Sequence, residues 1–255
     1  MARDHYLLHR AALAPLLPGA TGRELAQSID RAQAFGEMPF ARFLCEQGLA
    51  PLWDERLDDH AQGARLSQEF RSALHHNRLQ VTGDYLLHRH NLGKIKEILD
   101  TAGIAHVVTK GSHTRELYYN TPALRPALDI DILVKPEDRL NAIRALQTGG
   151  FSFHGMTETI SHECDLVKGN TCIDLHWDIM RPGRTREPML DPLLDSRVDY
   201  GSHWGPGHGE TLFLMLVHPV FTKYSTTPYA RLVRLVDLAQ LLHRYPGSVE
   251  GAVPL

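Results

Sequence analysis

The chain has 255 residues with a formal net charge of −3. Of these, 43% are apolar and 22% charged, which excludes a disordered polyelectrolyte, and so small a net charge gives no reason to expect wholesale binding to nucleic acid or anionic membrane. Three cysteines (Cys45, Cys164, Cys172) are too few and too odd in number for a disulfide framework. No run approaches the roughly 18–20 apolar residues that span a bilayer. Met1 to Pro18 has a short apolar run without a clean cleavage signature. The expectation is a folded, cytoplasmic protein.

Residues 1–100 read as a helical region. Leu7, Leu8, Ala11, Ala12 and Leu16 recur at helical spacing, as do Phe40, Phe43 and Leu44. Thr21 and Glu24 have the spacing of a capping box. A long helix is predicted from about Leu66 to Thr101, with Leu74, Val81, Tyr85, Leu86, Leu92, Ile95 and Leu99 facing inward. Gly83 and Gly93 weaken it. His75, His76, His88 and His90 read as solvated.

The period then changes. Residues 105–109 read as a strand, Lys110-Gly111-Ser112 as a turn, and His113 to Tyr119 as a helix. Residues 129–134 form a second strand, and Pro136 opens a helix that Gly149-Gly150 ends. Phe151 to His154 begins another strand. His162 to Val167 and Thr171 to Trp177 form a hairpin through Lys168-Gly169-Asn170. Residues 181–209 read as a Pro- and Gly-rich loop, followed by helices at 211–220 and 229–245. The expected architecture is α+β: a small mixed sheet with helices on one side (101–180), flanked by the helical region 1–100 and a loop with C-terminal helices at 181–255.

Three features of this core bear chemistry. Alternation puts Asp129 and Asp131 on one face of their strand with Leu133, and Leu128, Ile130, Ile132 and Val134 on the other. Such a pair is either a solvated face or a site for a hard divalent cation. In the same way Cys172, Asp174 and His176 share a face, and a neighbouring strand could set Asp174 beside the first two acids. Gly111-Ser112 precedes a helix whose N-terminus suits phosphate, or it is a plain connector. His162, Cys164, Cys172 and His176 do not have a familiar zinc spacing and are discounted as a zinc site. Arg231, Arg234 and Asp237, three apart, read as surface pairs on the last helix.

Together, Lys110-Gly-Ser, Tyr118, Arg125-Pro, Asp129-Ile-Asp-Ile-Leu-Val, Gly150-Phe and Ile173-Asp-Leu-His-Trp177 resemble the uncharacterised nucleotidyltransferase family (family 5) of the DNA polymerase β-like superfamily. The resemblance covers about 104–178, and Leu212 to His218 and Arg231 to Leu238 resemble its helical tail. The resemblance implies Gly111 and Ser112 at the nucleotide phosphates, and Asp129, Asp131 and Asp174 as catalytic carboxylates and metal ligands. Lys110, Arg125 and His176 join as candidate nucleotide contacts. The implied cofactor is Mg²⁺, with Mn²⁺ as its substitute. The implied partners are an NTP (ATP by default) and a small-molecule or peptide acceptor, with no nucleic acid or membrane. The reaction is transfer of a nucleoside monophosphate with release of pyrophosphate. A nucleotide- or peptide-binding accessory protein of the same fold, and a metal-dependent phosphoesterase, are the alternatives.

Overall fold

The structure, a computed structural model, describes residues 2–154, 162–179, 190–218 and 231–251. Helices α1 (Ala2–Leu13), α2 (Gly22–Phe35), α3 (Glu37–Glu46) and α4 (Ala50–Asp58) lead into a 34-residue helix, α5 (Gln68–Thr101). The capping box forms as expected: the Thr21 side chain accepts the Arg23 amide at 3.2 Å, and Glu24 accepts the Thr21 amide at 2.9 Å. Gly83 and Gly93 do not break α5; a Cβ on either would meet nothing within 4 Å. Each glycine costs about 1 kcal/mol of helix propensity. That cost is outweighed by the apolar side chains α5 buries, each contributing about 1.5–3 kcal/mol.

The buried side chains of α5 divide between two cores. Phe70 and Leu74 join the first, around Trp53, Phe40 and Leu25. Leu92, Ile95 and Leu99 join the second, beneath the sheet. Two expectations for α5 are corrected. Leu86 points outward and is exposed, whereas His88 is buried. With a turn of 3.6 residues, position 88 falls on the stripe of Leu92, Ile95 and Leu99, and 86 falls opposite.

The sheet strands are β1 (His106–Val108), β2 (Ile130–Val134), β3 (Ser152–His154), β4 (Glu163–Lys168) and β5 (Thr171–His176), in the order β1-β2-β5-β4-β3. Among the described residues only the β2–β5 pair is parallel. Between β1 and β2 lies α6 (Lys110–Tyr118), and between β2 and β3 lies α7 (Arg139–Thr148). Helices α5 and α7 cover one face of the sheet, where Ile130, Ile132, Val134, Ile173, Leu175 and Leu166 pack. Over one corner of the opposite face, Val107 and Leu133 pack against α8 (Leu190–Asp195). The chain continues through a small hairpin, β6 (Val198–Asp199) with β7 (Trp204–Gly205), to α9 (His208–His218). Where 190–209 was expected to be irregular, the chain forms these short elements; residues 180–189 lie outside the described residues.

Two further helices, α10 (Val233–Arg244) and α11 (Ser248–Gly251), close the chain. Leu212, Val233, Val236 and Leu241 enter the first core, so the two ends of the chain share it. The Gln47 carbonyl accepts the Val233 amide at 3.2 Å, and its side chain accepts the Leu232 amide at 3.0 Å. These bonds fix where α10 begins against α3. Among the described residues, no helix is long and apolar enough to cross a membrane.

Candidate active site

Strand register assembles the site. In the parallel pair, Asp131 stands opposite Asp174, and Leu133 opposite His176. The apolar residues on the other face fix that register, because a one-residue slip would turn the acids into the core. His176 Nε2 lies 3.2 Å from Asp131 Oδ1 and 3.0 Å from Asp174 Oδ2, and its Nδ1 lies 3.3 Å from Glu163 Oε2. Lys110 Nζ makes an ion pair with Asp131 and lies 3.2 Å from His176 Nε2.

Lys110 reaches this point from an unusual backbone. Its φ of +51° is in the left-handed region, which costs a residue with a Cβ of the order of 1 kcal/mol or more. The helix therefore starts at Lys110, not after Ser112 as expected from the sequence. Two bonds brace this junction: the Thr109 amide donates to the Asp131 carbonyl at 2.9 Å, and Thr114 Oγ1 donates to the Lys110 carbonyl at 2.6 Å.

Asp131 is almost wholly buried at 3% side-chain exposure. Burial alone would raise its pKa, but Lys110 and His176 outweigh burial and hold it well below the usual carboxylate range. Burial pushes the His176 imidazolium down, yet its hydrogen bonds to Asp131 and Asp174 raise it to about 9. Lys110 is likewise raised: burial opposes its charge, and Asp131 more than compensates.

The remaining expected residues are engaged inside the protein. Arg125, expected as a nucleotide contact, forms a buried ion pair with Asp237. Its Nε and Nη2 donate to the two carboxylate oxygens of Asp237 at 3.1 and 2.6 Å, and Nη1 donates to the Pro126 carbonyl at 2.7 Å. The same pair corrects the reading of Asp237 as a helix-surface residue, since it is 3% exposed and also accepts the Tyr119 hydroxyl at 2.6 Å. Gly111 is needed for Arg125: a Cβ there would overlap Arg125 Nη1 and come within 3.2 Å of Ala127 Cβ. Ser112 is fully buried, and its hydroxyl donates to the Asp129 carbonyl at 2.9 Å. This bond holds the bend before β2 against α6. Asp129 lies on that bend, one residue before the strand, because regular pairing starts at Ile130.

One oxygen, Asp174 Oδ1, is buried and has no hydrogen-bond partner among the described residues. Ligand atoms of Asp131, Asp174 and His176 lie within 4.8 Å of one another. An orphaned carboxylate oxygen beside a second carboxylate and an imidazole is a donor set that fits a divalent cation. The carboxylates suit Mg²⁺ or Mn²⁺, and the imidazole favours Mn²⁺. Of the expected ligands, Asp131 and Asp174 fall in this group with His176, and Asp129 lies at the bend before β2. Zinc gains no support. Cys164 packs in the apolar core while Cys172 lies on the acid face, and burial lifts their thiols to about 12 and about 11.

A model of the uncharacterised nucleotidyltransferase family matches residues 35–251. The chain belongs to that family. The solution structure of the antibiotic-resistance factor ANT(2'')-Ia is similar with a TM-score of 0.43 and 12% identity, over 68% of this chain and 88% of that one. No curated protein matches the chain.

Two further residues near the acids were given no site role from the sequence. Asp165 pairs with Asp174 in the β4–β5 register, extending Asp131 and Asp174 into a row of three acids. Its pKa is raised by burial and by Asp174. The alternation of β4 could have revealed it. Arg234 was noticed only as a surface residue. It is half-buried on α10, one turn before Asp237, and feels the charges of Arg125, Asp131 and Asp129. It makes no ion pair or hydrogen bond among the described residues. Spacing along one helix could not show that it feels the charges of Asp131 and Asp129, far away in the chain.

Proposed function

We propose that this chain is a Mg²⁺-dependent nucleotidyltransferase. It moves a nucleoside monophosphate from an NTP, ATP by default, to a hydroxyl or other acceptor on a small molecule or peptide. The observation that carries the reading is Asp131 set beside Asp174 with His176 Nε2 within 3.2 Å of both. Asp131, Asp174 and His176 would hold the cation, with Asp129 at the bend beside them. When bound, a divalent cation neutralises the triphosphate and polarises the phosphorus that is attacked.

The chain's own groups supply the rest. The acceptor oxygen attacks the α-phosphorus in line, and the bond from that phosphorus to the bridging oxygen breaks, so that pyrophosphate leaves. Asp174 takes the acceptor's proton through the carboxylate oxygen that the cation leaves free. His176 would face the cation through Nε2 while Glu163 orients the ring through Nδ1. Arg234, with no partner among the described residues, offers its guanidinium to the triphosphate.

The test is pyrophosphate release with candidate acceptors. Asp131→Asn should lower turnover at least roughly hundredfold, the scale for losing a charged group that stabilises the transition state. Its circular dichroism should match the parent. Undiminished turnover in a folded variant would overturn the reading. Orthophosphate or nucleotide release without acceptor would instead favour hydrolysis.

A further inference from the structure

We propose that Lys110 is a built-in competitor for the metal position, released to the nucleotide phosphates when a divalent cation binds. This deepens the metal-dependent reading above and rests on it.

Three observations carry the idea. Lys110 Nζ is paired with Asp131, one of the three grouped ligand residues, and lies 3.2 Å from His176 Nε2, a second. The ammonium therefore already supplies the positive charge that a cation would bring to this carboxylate. Two cations on one buried carboxylate repel strongly, because little water screens them. Second, Lys110 is held here by a left-handed backbone at the first position of α6, so its placement is not the relaxed choice of a lysine. Third, its charge feels Asp174 and Asp129 as well as the paired Asp131.

The consequence is an exchange. Without metal, Lys110 neutralises Asp131 and keeps the buried acids compatible with folding. When a divalent cation arrives, Lys110 leaves, and its flexible four-carbon stem carries a point charge at the helix N-terminus, where phosphates bind. Metal binding and phosphate binding are thereby coupled through one side chain.

The experiment compares the full chain with Lys110→Gly and Lys110→Asn, since both replacements accept a positive φ. Mn²⁺ alone is titrated at one pH, and free Mn²⁺ is read by electron paramagnetic resonance. Binding of ATP is then measured at saturating Mn²⁺. Both variants should bind Mn²⁺ at least about tenfold more tightly, a modest effect for like charges in a buried site. Both should bind ATP more weakly. Equal or weaker Mn²⁺ binding in both variants would overturn the exchange, as would an absence of Mn²⁺ binding in all three chains. Tighter Mn²⁺ binding in variants of a chain that shows no nucleotide turnover would leave the exchange standing and overturn the nucleotidyl-transfer reading alone. If one variant fails to fold, the other decides.

Discussion

Asp237 makes the clearest demand of any single residue. It accepts both arms of Arg125 and the Tyr119 hydroxyl in a nearly dry setting. Burial opposes the charge on Arg125, and Asp237 more than restores it. Removing one partner of such a pair leaves an uncompensated buried charge, at a cost of about 3–5 kcal/mol. Asp237→Ala should therefore lose about that much in urea unfolding, whereas Leu235→Ala, at an exposed position on the same helix, should change little. Arg234 stands three residues before Asp237 but has a different character. Its replacement by Ala should leave the unfolding midpoint nearly unchanged. The same change should raise the KM for the NTP by roughly tenfold, the loss of one charge-assisted contact to phosphate. An unchanged KM would remove Arg234 from the proposed triphosphate site.

At the scale of elements, α5 and the β2–β5 pair divide the work. Helix α5 is legible in the sequence because its apolar stripe persists through two glycines. Those glycines face open space, so Gly83→Ala and Gly93→Ala should each stabilise by about 0.4–1 kcal/mol and raise the melting temperature. A decrease at either position would show a neighbour that the structure does not place there. Ile95→Ala, on the buried stripe of the same helix, should cost about 2–5 kcal/mol. The β2–β5 pair is legible in part. Alternation gave the faces of Asp131, Asp174 and His176, and the pairing then aligned the two aspartates in one register. Helix α6 was misread at its start. A lysine with positive φ has no signal in local propensity, so Lys110-Gly111-Ser112 looked like a turn.

At the scale of the whole molecule, buried histidines set the response to acid. His88 and His203 are pushed down to about 4, chiefly by burial, and burial together with His203 and His208 lowers His113 well below its ordinary value. His113 Nδ1 lies 2.9 Å from His203 Nε2, and its Nε2 lies 3.1 Å from Thr211 Oγ1, tying α6 to the hairpin and α9. Between about 4 and 6.5 the unfolded chain binds protons at these sites that the folded chain does not. Stability is therefore fully present above 6.5 and is lost as pH falls. At pH 5 the loss is about 2 kcal/mol for each such histidine at most. His176 has the opposite sign: raised to about 9, its contribution is present below 6.5 and is lost as pH rises toward 9. Without metal, the urea midpoint should thus peak near pH 6.5 and fall on both sides. His88→Gln should flatten the acid limb, and a midpoint indifferent to pH between 5 and 6.5 would refute the assignment.

The sequence by itself determined the order of the core elements from β1 to β5, the long helix, the capping box and the faces on which Asp131, Asp174 and His176 lie. These are local properties: a hydrophobic period of 3.6 or 2 and the chemistry of a helix start act between residues a few positions apart. Only the tertiary structure decided that Arg125 belongs to Asp237, that Gly111 is small for Arg125, and that Lys110 pairs with Asp131. It also half-buried Arg234 within electrostatic reach of Asp131 and Asp129, and brought both ends of the chain into one core. Each of these depends on which distant surfaces meet, and contacts between residues 21 or 112 positions apart leave no period in the chain that makes them.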